Sequence, residues 1–307
     1  MQAKHYFTAL VCLGFSTLVV TADDSASKDM SSEAARAESK DESSNGDGAE
    51  SKAVGVSQDS PVQSAARPYN LDIVAPVQIA GLDAAAKMFQ AEVLPGMLET
   101  MNSTLREGKS LSDKKLEAMA FDPSKFVLGS DSTARVYFLG EGASYHNTLG
   151  FSTTGGSPLS PDAALIFPDA SSTTAYGELG KALRTSNEPL AVGDFVNLGN
   201  FKSGTALDFF LIANGAADGK DFFSTNKSLN KDGLIHAVSL SANGSTYLLV
   251  GFEDLTGGGD RDYNDVTFAV ELTSTPPPPG VGAPEPSMAI GALLSVIGLL
   301  GFSRRRA

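Results

Sequence analysis

The stretch 251–270, GFEDLTGGGDRDYNDVTFAV, constrains the fold of this chain more than any other. Ahead of it, Thr246, Tyr247, Leu248, Leu249 and Val250 form an apolar, β-prone run. Behind it, Val266, Phe268 and Val270 alternate with Thr267, Ala269 and Glu271, the period of a half-buried strand. Between these two expected strands stand Glu253, Asp254, Asp260, Asp262 and Asp265, with Arg261 as their local counter-charge. Two like charges ~4 Å apart repel by roughly 1 kcal/mol in water and by about 4 kcal/mol at the effective dielectric of a protein surface. A loop of this composition needs a cation to fold compactly. Hard oxygen donors on an irregular backbone suit calcium. The expected ligands are Glu253, Asp254, Asp260, Asp262, Asn264 and Asp265.

The run Asp260-x-Asp262-x-Asn264 matches the first three ligand positions of an EF-hand loop, and Glu271 falls where the closing bidentate glutamate would be. The rest of that motif fails. Asp265 occupies the required glycine position, and the segment after it alternates as a strand, so a calcium site in a β-loop is expected instead. Two other readings stay open: a solvated acidic hairpin loop whose glycines only allow tight turns, and a catalytic carboxylate pair. Adjacent Glu253 and Asp254 are expected on opposite faces of an extended strand, which makes them a poor acid/base couple. Glu141, between Gly140 and Gly142, is a further candidate ligand if the first and last strands are neighbours.

The GFED and GGGDRDYND segments, followed by an alternating strand, resemble the hallmark of a bacterial surface-domain family known as number 4114 of the domains of unknown function. Residues 136–150, 193–199 and 230–236 resemble the same family, so the similarity spans about 132–272. The resemblance implies an extracellular β-rich module suspected to bind calcium.

A formal net charge of -13 argues against a nucleic-acid footprint, which needs basic surfaces. The one cysteine, Cys12, lies in an N-terminal apolar run, so a processed chain would have neither disulfides nor cysteine-ligated zinc. Besides His5 in the expected leader, the histidines are His146 and His236, expected as hydrogen-bonded surface or strand-end residues. The sequence has neither a Gly-x-Ser-x-Gly elbow nor a phosphate-binding glycine loop. Tryptophan is absent, which leaves Tyr145 and Tyr263 as candidate sugar platforms.

In order, residues 1–22 read as a secretory signal peptide, and 23–67 as a disordered acidic tether too poor in apolar residues to offset chain entropy. Residues 68–131 read as an α-helical preface, with apolar spacing over 82–105 broken at Pro95-Gly96 and a second helix starting from Ser112 as N-cap. Residues 132–272 read as an antiparallel, jelly-roll-like β-sandwich, with strands expected at 135–139, 164–167, 195–201, 206–213, 235–242, 246–252 and 266–272. A Pro-rich spacer occupies 273–283. In 284–307, Pro284, Glu285 and Pro286 precede an apolar run and the basic cluster Arg304, Arg305 and Arg306. This tail resembles the PEP-CTERM sorting signal. The resemblance implies a transient membrane anchor and removal by an exosortase-type protease in a Gram-negative, exopolysaccharide-producing bacterium.

The functional expectation is an exported, non-enzymatic cell-surface or extracellular-matrix protein whose calcium-stabilised β-domain binds polysaccharide or another surface component. A purely structural matrix component is one alternative. The other is a glycan hydrolase using two of Glu141, Glu253, Asp254, Asp260 and Asp262, which would need carboxyls ~5 to 9 Å apart across a cleft.

Overall fold

The computed structural model describes residues 64–122, 126–179, 183–241 and 246–274. The expected leader, nearly all of the tether, and the sorting tail with Pro284, Glu285, Pro286, Arg304, Arg305 and Arg306 lie outside the described residues, as does the spacer beyond 274. Among the described residues, no helix is long and apolar enough to cross a membrane.

The fold is mainly antiparallel β. The strands are β1 (Ser132–Gly140), β2 (Thr148–Ser152), β3 (Ala164–Phe167), β4 (Phe195–Phe201), β5 (Asp208–Ile212), β6 (Phe222–Ser224), β7 (Ala237–Ser241), β8 (Tyr247–Phe252) and β9 (Val266–Ser274). One sheet has the order β4-β1-β9-β8-β7 and the other β3-β2-β5-β6. The first and last strands are indeed neighbours, paired from Ser132 with Ser274 to Gly140 with Thr267.

Side-chain alternation explains why the larger sheet is apolar on both faces. Val136, Phe138, Leu248, Val250, Phe252, Phe268 and Val270 join Leu149, Phe151, Phe209 and Leu211 of the other sheet in one core. Tyr137, Leu139, Tyr247, Leu249 and Ala269 face the opposite way and form a second core with Phe89, Leu94, Leu98 and Met101. Phe89 is fully buried and stacks on Tyr137 with ring centroids 3.8 Å apart and planes at 13°. Burying a phenylalanine side chain is worth about 1.5–3 kcal/mol. The helical preface is therefore the third layer of the molecule.

The preface departs from expectation in two details. Helix α1 (Ala84–Met88), a π-helical turn (Phe89–Val93) and helix α2 (Leu94–Thr104) run on without interruption. Pro95 does not split them, because it stands in the first turn of α2 and the wider π turn ahead of it relieves the missing hydrogen bond. Helix α3 (Asp113–Met119) starts right after Ser112, yet the Ser112 side chain makes no capping hydrogen bond.

Candidate metal centre

Pairing of β8 with β9 as far as Phe252 and Val266 makes residues 253–265 the connecting loop. Its backbone enters the left-handed region at Gly259 (φ 46°), Arg261 (φ 66°) and Tyr263 (φ 59°). Gly257 and Gly258 are at positive φ as well, and from Gly259 onward the alternation sends neighbouring side chains to different destinations. Tyr263 turns inward, 1% exposed, and its hydroxyl donates to the Ile235 carbonyl at 2.8 Å. Asp260, Asp262 and Asn264 are linked in series: the Asp262 amide donates to Asp260 Oδ1 and the Asn264 amide to Asp262 Oδ1, both at 3.3 Å. Arg261 turns outward and pairs with Asp113 at 2.5 Å. The one basic side chain of the loop thus serves α3.

The carboxylates gather into two adjoining groups. In the first, Glu253, Asp254 and Asp265 bring ligand oxygens within 4.8 Å of one another; in the second, Glu107, Asp260 and Asp262 do the same. Sequence reasoning missed Glu107, which lies in the preface just past α2. Asn264 Nδ2 donates to Glu107 Oε2 and Asp262 Oδ2, both at 3.0 Å, and the Gly108 amide donates to Asp262 Oδ2 at 2.7 Å. The expected opposition of Glu253 and Asp254 does not occur, because β8 ends at Phe252 and both residues belong to the loop. Asp254 is held by Asn147 Nδ2 at 2.7 Å, and its own amide donates to Asp265 Oδ2 at 2.7 Å.

Burial and mutual repulsion raise the proton affinity of Glu253, Asp254, Asp262 and Asp265. Glu253 is pushed up to about 8, first by burial and then by Asp260. Burial, reinforced by Asp254 and Glu253, takes Asp265 to about 9. Asp262 rises to about 6 through burial, with Asp260 and Glu107 adding repulsion. Asp254 is also raised, chiefly by burial. Among the described residues, no lysine or arginine side chain pairs with any of them. An all-oxygen donor set, with Glu107 and Asp260 exposed at its rim and the rest buried or half-buried, has the chemistry of a hard-cation site.

The remaining candidates fall elsewhere. Glu141 follows β1 and its Oε1 accepts from the Ser172 amide at 3.4 Å; it belongs to neither carboxylate group. Glu271 sits inside β9 and accepts the hydroxyls of Tyr137 and Tyr247, each at 2.9 Å, so it does not close the loop. His236 is buried at the start of β7, between Asp232 (3.0 Å) and the Glu253 carbonyl (3.1 Å). Asp169 and Ser171 both address Nδ1 of His146, at 3.3 and 3.2 Å, so these three do not form a nucleophile–base–orienter relay. Tyr263 is too buried to stack on a sugar; Tyr145 remains 40% exposed.

No curated protein and no solved structure matches the chain. A family model matches its C-terminal half of the β-structure, and the resembling segments upstream of residue 201 lie outside that match. Residues 201–273, which contain the whole acidic loop, strands β5 to β8 and all but the last residue of β9, match the family described as Domain of unknown function (DUF4114).

Proposed function

We propose that this protein is an exported, non-enzymatic surface or matrix component whose β-domain is stabilised by calcium in the β8–β9 loop and binds polysaccharide or another surface component. One observation carries the reading: Glu253, Asp254 and Asp265 converge in a largely buried position while the loop's arginine is committed to Asp113. The ligands in this proposal are Glu253, Asp254 and Asp265, with Asp260 and Asp262 of the adjoining group and the Asn264 side chain that contacts Asp262, and Glu107 ties the preface to the same ion cluster. The architecture fits such a module. The chain crosses repeatedly between its two sheets, from β1 to β2, β3 to β4, β4 to β5 and β6 to β7, in the manner of a jelly-roll-like sandwich. The leader-like 1–22 segment and the tail resembling a PEP-CTERM signal support export, transient membrane anchoring and processing by an exosortase-type protease.

Binding of purified exopolysaccharide by the full chain tests the reading. Retention in calcium that EDTA reverses is the expected result. Flow-through in every buffer, with calcium still bound, would replace recognition by a purely structural role.

A further inference from the structure

Asn147, the residue just ahead of β2, is 1% exposed, and both polar atoms of its side chain have partners. Oδ1 accepts the Asn214 amide at 2.9 Å, and Nδ2 donates to Asp254 Oδ2 at 2.7 Å. These partners fix which way the amide points, because a backbone N–H can only donate and an ionised carboxylate can only accept. The Asn147 carbonyl accepts the Ala170 amide at 2.8 Å. Three segments thus meet at one buried residue: the acidic loop, the 213–219 turn after β5 and the 168–172 segment after β3. The residues on either side strengthen the junction. The His146 amide donates to Asn214 Oδ1 at 3.1 Å, and the His146 carbonyl accepts the Ala216 amide at 3.0 Å. Thr148 Oγ1 donates to the Pro168 carbonyl at 2.7 Å, and a Cβ on Gly215 would lie 2.6 Å from that same oxygen, so the 213–219 turn sits directly on the start of β2. Neither segment supplies a carboxylate to the two acidic groups.

A ligating carboxylate is oriented by the groups that hydrogen-bond it, and removing such a partner weakens metal affinity about 10–100-fold. Resting on the reading of the β8–β9 loop as a calcium site, we infer that Asn147 is the positioning residue of that site: it holds Asp254 for the ion and carries the ion's ordering effect to the 168–172 and 213–219 segments of the other sheet. An ion that draws Asp254 to one position fixes the Asn147 side chain with it, and the Asn214 and Ala170 amides then open less often. Calcium thereby tightens segments that supply it with no carboxylate.

Amide hydrogen exchange of the full chain with and without calcium, read beside a calcium titration, tests this. In the parent protein, calcium should slow exchange in 168–172 and 213–219 by about fivefold or more. Asn147→Ala should bind calcium about 10–100-fold more weakly, and at saturating calcium its slowing should be confined to the acidic loop. Asn214→Gly is the control: glycine keeps the amide that Asn147 accepts and suits the backbone φ of 52°, so calcium affinity should be unchanged. Calcium uptake without slower exchange in the two segments of the parent protein overturns the inference and leaves the calcium site standing. Unchanged affinity in Asn147→Ala, or equal weakening in Asn214→Gly, does the same. If Asn147→Ala fails to fold, the parent comparison decides alone. Absence of calcium uptake by the parent protein overturns the site and this inference together.

Discussion

Arg261 and Asp113, far apart in sequence, form an ion pair across the junction of the acidic loop and α3, so the loop's own cation is spent outside the acidic cluster. The pair is largely exposed, at 37% and 85% for the two side chains. Exposed pairs contribute about 0–1 kcal/mol.

Arg261→Ala should therefore change stability in EDTA by less than about 1 kcal/mol, measured by urea unfolding. If Arg261 were instead the internal counter-ion of the buried acids, its loss would cost roughly 3–5 kcal/mol.

The metal-free protein should lose stability as pH rises. Folded Glu253 and Asp265 hold protons up to about 8 and about 9, respectively. The same groups in the unfolded chain release theirs near ~4. Between these limits the folded state binds more protons than the unfolded state, so stability is highest at the acidic end and falls as pH climbs through the folded values. Melting temperatures in EDTA at pH 5, 7 and 9 should decline in that order, and saturating calcium should flatten the series. A flat series in EDTA would contradict the burial of these carboxylates.

Gly259 is required by position. A Cβ there would lie 1.7 Å from Glu253 Oε1, on a backbone with φ of +46°. Gly257→Ala, at φ +89° with nothing within 4 Å of the added atom, is the control for backbone strain alone. Both variants should lose about 1–2 kcal/mol from the left-handed conformation. Gly259→Ala should in addition weaken calcium binding by at least about tenfold, since Glu253 must move; equal affinities in a calcium titration would count against Glu253 as a ligand.

The preface is part of the fold's stability. Phe89→Ala should cost about 3–5 kcal/mol by the cavity it leaves over Tyr137, a loss readable by chemical denaturation. A fragment beginning at residue 132 would bare Tyr137, Leu139, Tyr247 and Leu249, all buried in the intact chain, and should bind hydrophobic dye. A fragment that melts cooperatively without binding dye would show that the helices are dispensable.

Much of this arrangement was legible in the sequence because periodicity marks half-buried strands: β3 and β4 fall at their expected limits, and β8 and β9 flank the acidic loop as read. Strand β2 escaped because Gly150 interrupts its apolar run. That glycine is there for space, since a Cβ would meet the Phe210 ring at 2.4 Å. Strand β6, only Phe222–Ser224, is too short to show a period. In the site, the D-x-D-x-N spacing located Asp260, Asp262 and Asn264, but Glu107 comes from a distant segment. Its one local signal is a carboxylate followed by glycine, the pattern also found at Glu141-Gly142. The diversion of Arg261 was not legible either, because it depends on where α3 docks.

The most direct test of the calcium-stabilised loop is the melting temperature of the full chain titrated with calcium, beside Asp262→Asn. At a concentration ~100 times the dissociation constant, binding adds about 2.7 kcal/mol, or roughly 5–10 °C for a folded region of this size. The account predicts that rise in the parent protein and a much smaller one in the variant. A melting temperature unmoved by millimolar calcium in the parent protein would contradict it.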